Sequence, residues 1–167
     1  MLNTFWAQTN KLSNNPTGVE ERLSFISTAQ TLAEKLNSIS NTLEACQDNV
    51  NEQVITSVER VNTIITKISE YNELITAAEC NGDNANDYRD QRNLLLDELA
   101  QYGDVSYSER SDGQLLVQFE GHTVVDKNLT AQMKLEQAEV KSPFVKPVWS
   151  DTDTDVYSFN DRITTSA

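Results

Sequence analysis

The chain has 167 residues, of which 26 are acidic and 13 basic, so its net charge at neutral pH is −13. A protein this acidic repels the phosphate backbone of nucleic acids and anionic membrane surfaces, which excludes both as expected partners. Because only 38% of the residues are hydrophobic and Gly and Pro are scarce, the composition favours a helical protein with a narrow apolar seam.

The chain contains no run of roughly 18–20 apolar residues, so we expect no membrane-spanning helix. Residues 1–6 lack the basic and apolar regions of a cleavable secretory signal. Three expectations remain open: a cytoplasmic protein, a protein exported without signal cleavage, or an internal fragment of a longer chain.

A short helix is predicted at the start of the chain. It carries the apolar residues Phe5, Trp6 and Leu12, and Asn14-Asn15-Pro16 ends it. A very long helix follows at about residues 18–80, a stretch whose interior has neither Gly nor Pro.

The predicted boundaries of the long helix have recognisable signals. Thr17 and Glu20 have capping-box spacing at its start, and Asn81-Gly82 is a suitable end. A helix of about 60 residues is roughly 90 Å long and needs other helices to cover its apolar edge.

An apolar stripe follows the long helix in steps of three and four. Its members are Leu32, Leu36, Ile39, Leu43, Cys46, Val50, Val54, Val58, Val61, Ile64, Ile65, Ile68, Tyr71, Ile75 and Ala78. The spacing resembles a heptad repeat as far as Cys46 and then takes steps of four, which relaxes a left-handed supercoil. A hairpin folding back near Gln47-Asp48-Asn49 is the alternative, but the absence of a turn residue favours one helix.

The stripe leads to an expectation about stability. If it is a buried seam along its whole length, Leu36→Asp and Val61→Asp both place a charge in an apolar environment. We therefore expect both substitutions to lower thermal stability.

A third helix is predicted at about residues 86–101. Leu95, Leu96 and Leu99 give it an apolar face, acidic residues occupy its first turn, and Gly103 ends it. After Gly103 the hydrophobic period changes from helical to alternating.

Alternating residues predict a three-stranded antiparallel meander. Its strands are 105–110, 115–119 and 122–125, joined by a two-residue turn at Asp112-Gly113 and another at Glu120-Gly121. Residues 134–140 and 144–149 are candidates for further strands, and the tail from Asp151 is polar.

The expected fold class is therefore α+β, with an elongated helical bundle built on one very long helix and followed by a small β meander. We expect a helical domain at residues 1–103. Residues 104–167 form a strand-rich segment that we expect to be part of an outer β domain.

Three aspartates and the single histidine are candidates for functional residues. Asp151, Asp153 and Asp155 resemble the start of an EF-hand loop, but Val156 and Arg162 stand where such a loop needs Gly and Glu. The single histidine, His122, has no pattern of catalytic or metal-binding partners around it and is expected at the surface beside a turn.

The two cysteines and one charged group of the third helix are the remaining candidates for functional residues. Cys46 and Cys80 lie roughly 50 Å apart on one continuous helix, so we expect two unpaired thiols. The charged group Asp90-Gln91-Arg92 on the third helix is expected to form a structural ion pair with a neighbouring helix and not to supply a catalytic acid. We predict no catalytic, cofactor-binding or metal-binding residue and no enzyme activity.

The stretch Asp87–Leu99, with Asp90-Gln91-Arg92 followed by leucines, resembles a segment of the first hook-associated proteins of bacterial flagella. In that family the segment follows a long polar helix and precedes strands with an Asp-Gly turn, which is the order here. Phe5-Trp6 and Ser13-Asn14-Asn15-Pro16 resemble the region before the family's long helix. Asn93, where an acid is usual, and the two cysteines depart from the pattern.

The resemblance implies a structural protein at the hook–filament junction, exported unfolded through the flagellar type III channel without signal cleavage. Its implied partners are other copies of itself in a ring, the hook protein, a neighbouring hook-associated protein and an export chaperone. The family's terminal coiled-coil regions are missing, so the chain is expected to be an internal fragment.

The alternative from another class is a cytoplasmic coiled-coil adaptor or signalling module that dimerises through the apolar stripe. Its helicity would depend steeply on concentration. An intramolecular bundle would not show that dependence, and the break in the heptad spacing favours the bundle.

Overall fold

The computed structural model of the protein describes residues 1–80, 84–127 and 129–157. Three helices precede six strands: α1 (Leu2–Asn14), α2 (Val19–Cys80), α3 (Asn86–Leu99), β1 (Val105–Glu109), β2 (Leu115–Phe119), β3 (His122–Asp126), β4 (Leu129–Thr130), β5 (Met133–Gln137) and β6 (Val145–Trp149). The α+β class, with one very long helix followed by an antiparallel meander, is confirmed. Because α2 is continuous, the alternative hairpin near residue 48 is wrong.

The long helix begins slightly later than the capping box predicts. The carbonyl of Gly18 accepts the first helical hydrogen bond, from the amide of Arg22 at 3.2 Å. Asn15 Nδ2 donates to Glu21 Oε1 at 3.1 Å, so a side chain before the helix holds its first turn. The helix therefore begins one residue later than a capping box formed by Thr17 and Glu20 predicts.

The other helix ends agree with the sequence to within two residues. The helix α2 ends at Cys80, and the predicted stop at Asn81-Gly82 lies outside the described residues. At the end of α3, the amides of Gln101 and Tyr102 donate to carbonyls three residues earlier. These tighter turns take over from the α-helix before Gly103.

A four-stranded antiparallel sheet in the order β1-β2-β3-β4 replaces the predicted three-stranded meander. The two-residue strand β4 was missed because it is too short to show alternation. The loop at Asp112-Gly113 has three residues and not two, since the amide of Arg110 donates to the carbonyl of Gln114 and Gly113 has a positive φ of 79°. The predicted two-residue turn at Glu120-Gly121 is correct, with positive φ at both residues.

The strands β5 and β6 form a separate antiparallel hairpin. The strand β6 lies within its predicted range, whereas β5 begins one residue earlier and ends three residues earlier than expected. After β6 the chain turns back, and the amides of Trp149 and Val156 donate to Thr154 and Pro147 carbonyls.

Internal contacts divide the chain into two compact units, Met1–Val50 and Asn51–Ala167. In the second unit one hydrophobic core joins the later part of α2, α3 and both sheets. Its buried residues are Val58, Val61, Ile64, Ile65, Ile68, Leu96, Leu99, Leu115, Val117, Phe119, Val124, Val125, Met133, Trp149 and Val156. The division at residue 103 expected from the sequence stays a prediction.

The first unit contains α1 and the beginning of α2. Every residue from 1 to 50, all of which the structure describes, is exposed or half-buried. The rings of Phe5 and Phe25 lie 5.4 Å apart, and this contact joins α1 to α2. The expectation that the apolar stripe is a buried seam throughout is therefore wrong for this half, where Leu36 is 56% exposed.

Candidate functional site

The heptad face, which we define as Leu32, Leu36, Ile39, Leu43, Cys46 and Val50, is an uncovered apolar surface on the first unit. These residues are spaced alternately by four and three, so they lie on one side of α2. Leu36, Leu43 and Val50 are each more than half exposed, and every residue from 33 to 50 is exposed. A heptad stripe of this kind is the packing surface that one helix offers to another.

The residues beside the heptad face are mostly uncharged. Between residues 33 and 50 the only charged side chains are Glu34, Lys35, Glu44 and Asp48, and the remainder are dominated by Asn, Ser, Thr and Gln. In coiled coils, charges beside the seam select the partner and its orientation. Here such selection is weak, so shape and apolar contact determine what can pack against this face.

In the second unit, asparagines of α2 attach the strands to the helix. Asn72, which is fully buried, donates from Nδ2 to the carbonyl of Leu115 at 2.9 Å and accepts the amide of Leu115 at 3.1 Å. Asn62 makes the same pair of bonds with Met133, both at 2.8 Å. Each asparagine thus satisfies both backbone groups of the first residue of a strand, β2 or β5.

A third asparagine extends this pattern. Asn51 Oδ1 accepts the amide of Val145, the first residue of β6, at 2.8 Å. The three asparagines are spaced by eleven and ten residues, which is close to three helical turns, so they share one side of α2. They fix the positions of both sheets along the helix.

The most buried charge among the described residues belongs to the Asp90-Gln91-Arg92 motif. Arg92 is 2% exposed, and its Nη1 donates to Asn72 Oδ1 at 2.9 Å and to the carbonyl of Gly113 at 2.8 Å. Its Nη2 lies 3.2 Å from Glu109 Oε1. An ion pair of the Asp90-Gln91-Arg92 group therefore exists through Arg92, but its acid comes from β1 and the contact with α2 is through the side-chain amide of Asn72.

Arg89 completes what we call the arginine cluster, which consists of Asn72, Glu79, Arg89, Arg92 and Glu109. Arg89 bonds Glu79 on α2 at 2.7 Å and also bonds Glu109. The bond with Glu79 raises the pKa of Arg89, whereas burial lowers the pKa of Arg92 against the opposing effect of Glu109. Two arginines and two glutamates balance in charge, which reduces the cost of burying Arg92.

A glycine is required where the hairpin of β1 and β2 meets the cluster. A Cβ atom on Gly113 would lie 2.9 Å from Glu79 Oε2 and 3.1 Å from Arg89 Nη2. With its positive φ, Gly113 allows the loop to approach closely enough for its carbonyl to reach Arg92.

The acidic run after β6 has a structural role. Asp151 Oδ2 lies 3.0 Å from His122 Nε2, and Lys134 and Lys146 bind Asp153 and Asp155, each at 2.5 Å. Each aspartate thus has its own basic partner on β3, β5 or β6. Within the described ranges, no group of three or more His, Cys, Asp or Glu side chains is arranged to hold a metal ion.

His122 is less exposed than the sequence suggested. Its ring stacks on Trp149 with centroids 4.4 Å apart, and its side chain is 24% exposed. Both cysteines are free, as expected, and both are exposed, although Cys46 belongs to the stripe that was expected to be buried. In the part of the chain that the structure describes, no helix has the length and apolar character needed to cross a membrane.

The asparagine anchors, by which we mean Asn51, Asn62 and Asn72, were not predicted from the sequence. Only Asn72 shows a sign of its role in the sequence. It falls in the series Val61, Ile65, Ile68, Asn72, Ile75, with steps of four and three, so a polar residue occupies an apolar position. A polar residue at such a position indicates a buried amide with a specific partner. Asn51 and Asn62 lie beside the stripe and leave no comparable signal.

Comparisons with known proteins agree over most of the chain. A family model described as the flagellar hook-associated protein FlgK helical domain matches residues 1–164. The flagellar hook-associated protein 1 of Bacillus subtilis (strain 168) is 33% identical over 132 residues, which cover 77% of this chain and 26% of that protein. The structure of the flagellar hook junction protein FlgK from Burkholderia pseudomallei aligns with a TM-score of 0.77 at 26% identity, covering 88% of this chain and 26% of that one.

The chain thus spans about a quarter of the length of these relatives. All three matches are to flagellar proteins, and they give no support to a cytoplasmic coiled-coil adaptor. The resemblance found in the sequence is confirmed.

Proposed function

The chain belongs to the family of the FlgK helical domain, and we propose that it is a non-catalytic structural part of the bacterial flagellum at the junction between hook and filament. The observation that carries this proposal is the family match over residues 1–164. The uncovered heptad face supports it, because a structural role in an assembly needs surfaces that other subunits or segments can cover.

The proposed mechanism is mechanical. The heptad face packs against other helices in the assembled junction and removes its leucines, isoleucine and valine from water. Burying one such side chain contributes roughly 1.5–3 kcal/mol, so a few together make a stable helix contact. The weakly charged flanks allow helices to lie close together in spite of the chain's net charge of −13.

The second unit has a different role in the proposed function. The asparagine anchors and the arginine cluster hold the sheets rigidly against α2, so that a load applied to the strands reaches the helix. In this proposal residues 1–103 act as the helical domain, and residues 104–167 are a strand-rich segment that forms part of an outer β domain. Rigid attachment suits a part that transmits torque and performs no chemistry.

The partners proposed for the chain are other copies of itself in a ring, the hook protein and a neighbouring hook-associated protein. Export through the flagellar type III channel, with the help of a chaperone and without signal cleavage, would place it outside the cell. The family membership supports these proposals.

Reactivity of Cys46 tests the proposal, because this thiol lies on the heptad face and is exposed in the chain alone. Flagella purified from the source cells are treated with a maleimide before and after dissociation, and labelling is located by mass spectrometry. We expect the chain to be present, with Cys46 protected in intact flagella and labelled after dissociation. Absence of the chain from purified flagella, or equal labelling of Cys46 in both samples, would contradict the proposal.

A further inference from the structure

The outer edge of β1 has unused backbone hydrogen-bonding groups. Asp104 and Arg110 form hydrogen-bonded pairs with Glu120 and Gln114 on either side of the β1–β2 ladder. Hydrogen-bonded and non-bonded pairs alternate in an antiparallel ladder, so the amides and carbonyls of Val105, Tyr107 and Glu109 point away from β2. In the described part of the chain β1 is the first strand of its sheet and has no neighbour on that side.

A cleft adjoins this open edge. It has a volume of about 530 Å³, and its walls come from α3 (Asn86, Arg89, Asp90, Arg92 and Asn93), β1 (Tyr107 and Glu109) and Leu115. Tyr107, at the middle of β1, is 59% exposed. The cleft therefore lies between residues of the edge strand β1 and one face of α3.

The charges in the cleft favour a basic occupant. Arg89, Arg92 and Glu109 bond one another or Glu79, so their charges are balanced. Asp90 lines the cleft and makes no ion pair with any residue that the structure describes. A carboxylate of this kind, on a chain with a net charge of −13, attracts a cation.

We propose that the outer edge of β1 and the cleft beside α3 bind an extended segment of a partner polypeptide, which adds to the sheet as a fifth strand and places a lysine or arginine beside Asp90. Main-chain hydrogen bonds to Val105, Tyr107 and Glu109 hold the segment, as in other cases of strand addition. Every second side chain of the segment then enters the cleft, where Asn86 and Asn93 can also bond it.

A second copy of this chain is a poor occupant through the same strand. The sequence of β1, Val-Ser-Tyr-Ser-Glu, contains no basic residue, so pairing of two β1 edges offers no cation to either Asp90. It also brings together two chains of the same net charge. The partner is therefore a different segment with a basic residue at an alternating position.

The test is selection of a displayed library of random octapeptides against the whole chain, followed by affinity measurements on the selected peptides. We expect alternating sequences of high strand propensity with Lys or Arg at every second position. Tyr107→Pro removes the outward amide and leaves the ladder to β2 intact, so it should weaken binding by at least about tenfold. Tyr107→Ala keeps that amide and serves as its control.

A second pair of variants tests the charge without touching the backbone. Asp90→Asn should weaken binding of the basic peptides by about tenfold and make it less sensitive to salt. Asp97→Asn makes the same change on α3 outside the cleft and should leave the affinity unchanged. Circular dichroism and melting curves establish that each variant is folded.

Four outcomes would overturn the proposal. One is a failure to select any peptide, and another is selection of peptides without basic residues. The third is binding that persists in both Tyr107→Pro and Asp90→Asn. Concentration-dependent dimerisation abolished by Tyr107→Pro would assign the edge to a second copy and would likewise overturn it.

Discussion

Arg92 illustrates how one buried charge joins three parts of the second unit. Its guanidinium contacts the amide of Asn72 on α2, the carboxylate of Glu109 on β1 and the carbonyl of Gly113 in the hairpin loop. Arginine suits this place because its planar group donates several hydrogen bonds in fixed directions. The family resemblance of the Asp90-Gln91-Arg92 motif thus has a physical basis in the attachment of the sheet to the helices.

Replacing Arg92 with methionine should destabilise the chain by about 2–4 kcal/mol, because Glu109 and the carbonyl of Gly113 lose a charged donor. Arg92→Lys should recover only part of this loss, since an ammonium group cannot reach all three acceptors together. Urea denaturation of both variants measures the change in the free energy of unfolding. Equal stability of the methionine variant and the unchanged chain would show that the cluster does not hold the fold.

The ion pair between Arg60 on α2 and Glu98 on α3 predicts a dependence of stability on pH. Arg60 donates to both carboxylate oxygens, at 2.6 and 2.7 Å, and this lowers the pKa of Glu98 below its ordinary value of 4.5. The contribution of the pair to stability is therefore complete above the ordinary pKa of a carboxyl group. It is lost as the pH falls through the lower pKa of the folded state.

We expect Glu98→Gln to lower the melting temperature at pH 7 and to have a smaller effect at a pH below the lowered pKa of Glu98, where the carboxyl is protonated in both the folded and the unfolded state. Asp97→Asn, a neighbouring exposed acid without an ion-pair partner among the described residues, is the matched control. A difference between the Glu98 variant and the unchanged chain that is the same at both pH values would contradict the assignment.

At the scale of elements, α2 has two halves with different environments. In its first half, residues 33–50 carry most of the heptad face and are exposed, whereas its second half carries the core and is covered by α3 and the sheets. The change of spacing after Cys46 coincides with this change of environment. A regular heptad suits helix partners, and the relaxed spacing suits a helix that packs against sheets.

Two substitutions on α2 distinguish these environments. Val61, 1% exposed, should tolerate Asp poorly, with a loss of about 3 kcal/mol or more. Leu36→Asp should change the stability of the isolated chain by less than about 0.5 kcal/mol, because the side chain is already in water. Melting curves of the two variants provide the comparison, and a large loss in the Leu36 variant would mean that the heptad face is covered within the chain.

Sequence patterns predicted the helices and most strands because each depends on local spacing and turn residues. The start of α2, the loop around Gly113 and the strand β4 were less accurate. Side chains distant in sequence surround the loop, and β4 is too short to show alternation. The burial of the apolar stripe could not be predicted, because an uncovered heptad and a covered one have the same sequence period. The asparagine anchors also depend on tertiary contacts, and only Asn72 disturbed the period enough to be noticed.

At the scale of the whole molecule, the family membership and the physical features support the same account. A chain with rigidly anchored strands, an uncovered heptad face and a net charge of −13 is suited to assembly and carries no predicted catalytic residue. The β1 edge adds a second proposed contact, which is independent of the first. The proposed function therefore depends on the surfaces that the chain offers to its partners.

Immunogold labelling of intact flagella with antibodies raised against this chain is the most direct test of its proposed place at the hook–filament junction. Flagella still attached to the source cells are labelled and viewed by electron microscopy, with preimmune serum as the control. If the chain lies at the junction, we expect a single narrow band of gold between hook and filament. Label confined to the cytoplasm at all stages of growth would contradict it.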